Sequence, residues 1–185
     1  AFLDRLGKDL GLASSQMVDS FTYMLNTTGG TGLGDQIEQG FASIIRYTTV
    51  FGNTVQEQDA AIKALSKLAS KPHVTAEELA STPTDNIPFI FRIAAETLAG
   101  GSTEKLVEMM RNKEFKPNIH LPMILQAMDR EVAPHMQSYF DSPTYAKNEQ
   151  NRLMDQWMTN FLDSGGTAAV DGFLRTLNQV FDTTD

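Results

Sequence analysis

The sequence predicts an all-α fold: a compact domain of about ten short to medium helices with no sheet. Two observations carry this. Apolar residues recur at spacings of three and four almost throughout, and period-two alternation rich in Val, Ile and Thr is nearly absent. A third is punctuation, because capping residues, Gly pairs and Pro recur between the periodic stretches.

Phe2, Leu3, Leu6 and Leu10 mark a first short helix, weakened by Gly7 and Gly11. Met17, Phe21, Met24 and Leu25 mark a second, with Ser14 or Ser15 placed to cap it. The stretch from Asn26 to Gly34 holds four Gly and three Thr, so a loop is expected there. Leu33, Ile37, Phe41, Ile44, Ile45 and Thr48 then form one stripe running to Gly52. Thr54-Val55-Gln56-Glu57 has capping-box spacing and opens a helix carrying Ile62, Leu65 and Leu68. Thr75-Ala76-Glu77-Glu78 repeats the device before a short helix through Leu79 that Pro83 ends.

Asn86 and Pro88 start the next helix, along Ile90, Phe91, Ala94 and Leu98, and Gly100-Gly101 stop it. Ser102 or Thr103 caps a helix bearing Leu106, Met109 and Met110, ended near Phe115-Lys116-Pro117. Leu121, Ile124, Leu125, Met128 and Val132 continue the pattern up to Pro134. Asp141-Ser142-Pro143 reads as a cap followed by a first-turn proline, after which Leu153, Trp157 and Phe161 line one face. Beyond Gly165-Gly166, the residues Val170, Phe173, Leu174, Leu177 and Phe181 mark a last helix. The expected organisation is an N-terminal arm and loop (1–32), a helical core (33–140) and a C-terminal helical pair packing on that core (141–185).

Composition narrows the function. The 185 residues are 41% apolar and carry a net charge of -8, so phosphate neutralisation, and with it direct nucleic-acid binding, is disfavoured. With no cysteine, thiolate metal sites, thiol catalysis and disulfides are excluded. No apolar run approaches the eighteen or so residues of a membrane span. The chain starts Ala1-Phe2-Leu3 without a Met or a signal-peptide pattern, and it is expected to be a piece of a longer protein.

Candidate chemistry resolves into structural roles. Gly29-Gly30-Thr31-Gly32-Leu33-Gly34 lacks the Gly-Lys-Ser/Thr ending and the preceding strand of a phosphate loop, so it reads as a connector. His73, His120 and His135 form no i, i+4 pair for zinc, and no metal site or cofactor is expected. Glu77 and Glu78 are neighbours, whereas paired acid/base carboxylates normally come from separate elements; Glu78 reads as a cap. Gly101-Ser102 and Ser164-Gly165 do not complete a Gly-x-Ser-x-Gly elbow. Arg111, Lys113 and Lys116, diluted by Glu114, read as a solvated helix end, with docking of an acidic partner as the functional alternative. Met17, Met24, Met109, Met128 and Met154 fall in apolar register and read mostly as core. No catalytic residue is assigned.

One resemblance adds to this. Residues 33–128 resemble the conserved segment of bacteriophage or prophage tail tape measure proteins. The phrase Ala64-Leu65-Ser66-Lys67-Leu68-Ala69-Ser70-Lys71-Pro72-His73-Val74-Thr75-Ala76-Glu77-Glu78-Leu79 carries it, followed by Ile87-Pro88, Ile93-Ala94-Ala95, Gly100-Gly101, Leu106, Met109-Met110 and Leu121-Pro122. Pro72 stands where the family usually has Gly, and Ser81-Thr82-Pro83-Thr84-Asp85 replaces a Gln-Leu-Gly-Glu-like stretch.

The resemblance implies a non-enzymatic assembly role in the virion. The protein would be made in the bacterial host cytoplasm, set tail length and occupy the tail tube lumen before genome ejection. Implied partners are further copies of itself, in threes or sixes, the tail tube, tail tip or baseplate proteins and tail assembly chaperones. An acidic surface in that lumen would discourage sticking to DNA by like-charge repulsion. Two alternatives stand beside it: a helical adaptor for a host or chaperone protein, which needs an exposed apolar patch, and a domain associated with peptidoglycan hydrolysis, which needs a cleft with a perturbed carboxylate.

Overall fold

The computed structural model describes residues 2–31, 36–81, 88–163 and 166. Among them the protein is all-α, without a strand. The expected features at Leu33, Pro83, Asn86 and Ser164-Gly165, the Gly32 to Gly34 end of the expected Asn26 to Gly34 loop, and the last helix from Val170 to Phe181 lie outside the described residues.

Helix α1 (Phe2–Leu10) turns Leu6 and Leu10 inward. Its two glycines are more than weak points. Gly11 has φ +71°, which lets the Leu12 N-H donate back to the Gly7 carbonyl at 2.8 Å, the longer bond of a Schellman end. A Cβ on Gly7 would lie 2.4 Å from the Leu12 carbonyl oxygen. Helix-weakening residues are therefore what allow this helix to end tightly.

A 3₁₀ turn (Ser14–Met17) leads into α2 (Val18–Thr28). The expected serine cap is not there: neither end bears a side-chain cap, and the Ser15 hydroxyl instead donates to Asp155 at 3.1 Å. Helix α3 (Ile37–Val50) is buried on nearly all sides, from Phe41 and Ile44 to Ser43 and Thr48, as a core helix must be. Two of its threonine hydroxyls are satisfied locally or by α4 (Val55–Ala69): Thr48 donates to the Ile44 carbonyl at 2.8 Å, and Gln58 donates to Thr49 at 2.9 Å.

Both predicted capping boxes form. Thr54 and Glu57 exchange bonds at the start of α4, and Thr75 and Glu78 do so at α5 (Ala76–Ser81). Helix α6 (Pro88–Ala99) begins at Pro88 and ends at Gly100 and Gly101, both at positive φ, where the Gly101 N-H donates to the Ala95 carbonyl at 2.9 Å. Ser102 caps α7 (Thr103–Arg111) by accepting from the Lys105 N-H.

Helix α8 (Pro117–Val132) starts on a proline but also contains Pro122, whose ring withdraws an interior N-H. Neighbouring Leu121, Ile124 and Leu125 are buried, so packing holds the helix together across that defect. At Pro134 the helix passes into a 3₁₀ turn (Ala133–His135) and a short α9 (Met136–Phe140). Ser142, not Asp141, caps α10 (Pro143–Asp163): its hydroxyl accepts from the Tyr145 N-H at 3.1 Å. Asp141 closes α9.

These helices enclose one core. Helix α3 lies against α8, α4, α2 and α1, while α6 packs on α5, α7 and α8. Phe41, Ile44, Ile62, Leu65, Phe115, Ile124 and Met128 sit at its centre. Helix α10 lies at its edge, touching α1 and α9 and packing Tyr145 against it.

Candidate functional site

The candidate residues scatter. His73 is exposed on the turn between α4 and α5. His120 packs on Phe115 with ring centroids 5.2 Å apart, and His135 sits against Phe51 at 5.3 Å. Among the described residues no group of three His, Asp or Glu comes together to hold a metal. The His120 Nδ1 accepts from the Lys116 N-H at 2.9 Å, which gives it a capping role at α8; burial first, and then the Lys116 charge, push its pKa down.

Glu77 is exposed, while Glu78 bonds to Lys71 and to the Thr75 N-H, and these partners in that order hold its carboxyl below the usual carboxylate range. Arg111, Lys113, Glu114 and Lys116 are all exposed, Arg111 in the last turn of α7. Of the methionines, Met17, Met24 and Met128 are core. Met154 departs from that expectation at 58% exposure.

The residues that the structure does bring together are ones the sequence does not single out. Asp129 on α8 accepts from Ser43 at 2.6 Å and pairs with Arg46 at 2.5 Å, both on α3. Two residues on, Glu131 pairs with Arg92 of α6 at 2.6 Å and accepts from the Tyr47 hydroxyl at 3.2 Å. Arg92 also holds Glu96 at 3.0 Å. Burial first, and then the Glu131 charge, push the Tyr47 phenol up to about 12, so it stays protonated and donates. These charges pin three helices in one register. Partners more than 80 residues apart on α3 and α8 leave no local signal.

Of the clefts that flank α1, two have a volume of about 440 Å³. The one against α10 is lined by Asp4, Lys8, Arg152 and Asp155, but Arg152 is taken by Glu149 at 2.5 Å and Asp155 by Ser15. The other holds Arg5, Asp9 and Glu38 beside the Arg46-Asp129 pair. Among the described residues no buried side-chain nitrogen or oxygen lacks a partner.

The most unusual surface is α10. Four of its five half-buried residues, Tyr145, Asn148, Glu149 and Arg152, are mostly polar and face the body of the fold; the fifth is Phe161. Gly11 admits this contact, because a Cβ there would meet the Glu149 nitrogen at 3.2 Å and the Tyr145 ring at 3.1 Å. Leu153, Met154, Trp157, Met158 and Leu162 are 47–58% exposed, and Trp157 stacks on Phe161 with centroids 5.3 Å apart and planes 13° apart. The stripe predicted for this helix is real, but it faces away from the core. No described helix is long and apolar enough to cross a membrane. Comparisons with protein-family models, curated proteins and solved structures give no match.

Proposed function

We propose that this chain is a structural domain of a phage or prophage tail tape measure protein, acting in tail assembly and not in catalysis. The observation that carries the proposal is the run from Ala64 to Leu79 with its downstream companions, whose order and spacing resemble that family. In the fold this run is a tight corner: α4 ends, Val74 is buried, and the Thr75-Glu78 cap, tied to Lys71, opens α5. Helices rise about 1.5 Å per residue, so a long helix turns residue count into length. A globule of this size has a radius of gyration near 16 Å, which suits a terminal or interrupting domain of such a ruler. In-frame deletion from the parent gene, with tails measured by electron microscopy, tests it. Aborted or shortened tails are expected; normal length and infectivity refute the assembly role. Soluble muropeptides released from purified cell wall by this chain would move a hydrolase to first place.

A second function, a helical adaptor for a host or chaperone protein, is favoured by one observation, the exposed stripe of α10. It requires that stripe to be open in the protein as it exists.

A further inference from the structure

The apolar stripe of α10 lies opposite the face that packs on the body. At about 100° per residue, Tyr145, Asn148, Glu149 and Arg152 centre on one side of the helix, and Leu153, Met154, Trp157, Met158, Phe161 and Leu162 spread over the other half. A helix laid along the stripe is thus held on the far side of α10 from the body. Five of the six side chains are 47–58% exposed. Taking about 150–250 Å² for a large side chain, they show roughly 400–500 Å² of apolar surface, the upper end of what monomers show. Two such faces together would cover roughly 900 Å², close to the roughly 1,000 Å² of a specific contact and under the roughly 1,600 Å² of a standard one.

The order of residue types selects a second copy as the occupant. In a two-fold contact, if position i meets j then j meets i, so two antiparallel helices must mirror about one point in the sequence. About the midpoint between Trp157 and Met158, Leu153 mirrors Leu162, Met154 mirrors Phe161 and Trp157 mirrors Met158. Leucine then meets leucine, and each other pair sets a methionine on an aromatic ring, a contact that sulfur favours. Four-residue spacing alone yields the mirror of positions but not this matching of types. Charge agrees with it. Asp155 is the one charged residue from 153 to 162, and it is bonded to Ser15, so no like charges meet across the pair. A lipid surface is a poorer occupant, because interfacial helices are rich in Lys and Arg on the polar face and this segment has none.

We propose that two copies of this chain pair through α10, antiparallel about a two-fold axis between Trp157 and Met158. The pairing closes the surface that the adaptor function needs. It does not rest on the tape measure proposal: copies arranged in threes or sixes about a tail axis would all point the same way along it, so the antiparallel pair would belong to the free protein.

Sedimentation equilibrium of the chain from about 1 µM to about 1 mM brackets a weak contact of this size. The mass should rise from the 20.4 kDa of one chain toward twice that. Trp157, the only tryptophan, should shift to the blue and resist acrylamide over the same range. Leu153→Glu and Leu162→Lys should each weaken pairing at least tenfold, since a charge is then buried against leucine twice. Mixed in equal amounts they should pair again, because the new carboxylate meets the new ammonium while the unaltered leucines meet each other. A monomer throughout the range overturns the proposal, as does pairing that either variant leaves intact or that mixing fails to restore. Trp157 shielded in a chain that sediments as a monomer also overturns it, in favour of a cover within the chain or, if shielding needs added phosphatidylcholine vesicles, of lipid. Should a charged variant unfold, Leu153→Cys mixed with Leu162→Cys decides in this chain without cysteine: a disulfide joining the two different variants is expected, and its absence refutes the antiparallel pair.

Discussion

Lys113 is the one residue other than glycine with positive φ among the described residues, at 60°, and replacing it with glycine should stabilise the protein. Its conformation follows from the end of α7. The Lys113 N-H donates to the Met110 carbonyl at 3.0 Å and the Glu114 N-H to the Met109 carbonyl at 2.8 Å, the two bonds of a Schellman motif with lysine where glycine is usual. Phe115, fully buried two residues on, anchors the chain so that the turn cannot relax. Holding a residue with a Cβ in the left-handed region costs about 1–2 kcal/mol. Glycine removes that cost but loses roughly 0.4–1 kcal/mol through its freer unfolded chain. Lys113→Gly should therefore gain about 0.5–1 kcal/mol, raising the melting temperature by about 1–4 °C for a chain of this size. Lys113→Ala is the control, since it removes the exposed charge and stem but keeps the strain, and it should stay within about 0.5 kcal/mol of the parent. Urea unfolding followed by circular dichroism reads all three. A Lys113→Gly protein no more stable than Lys113→Ala would refute the strain argument.

Gly7→Ala should be far worse than an ordinary helix substitution. Alanine is the better helix former, yet its Cβ would lie 2.4 Å from a backbone oxygen, so a loss of about 2–4 kcal/mol is expected in urea titration; a gain in stability would show that the α1 turn is not as described. Tyr139→Phe removes the hydroxyl that donates to the Leu10 carbonyl at 2.7 Å in a buried setting, and should cost about 1–3 kcal/mol, with no change counting against that bond. Stability should also fall with pH through His120. Its folded pKa lies below the ordinary 6.5, so the unfolded chain binds the extra proton first. The contribution is complete above about pH 6.5 and is lost as pH falls from there toward the folded value. His120→Gln should flatten unfolding free energy between about pH 5.5 and 7 relative to the parent; an unchanged slope would place the titration elsewhere.

What the sequence determined by itself is where helices begin and end. The Thr54-Glu57 and Thr75-Glu78 boxes, the Ser102 cap, Pro88 and the Gly100-Gly101 stop all act within four or five residues, so their physics is complete in a short window and can be read without a fold. Serines were less legible. Ser15 is equally able to cap a helix or to reach Asp155, 140 positions away, and only the docking of α10 over Gly11 decides between them. The same holds for Pro122 and Lys113, which local rules reject and which buried neighbours hold in place. Periodicity located the α10 stripe but could not say which way it faces, because spacing defines a face and only contacts with α1 orient it. Tertiary structure also decided the pairing of Asp129 with Arg46 and of Glu131 with Arg92, since a charge on a helix surface is alike in sequence whether it meets water or a partner from a distant helix.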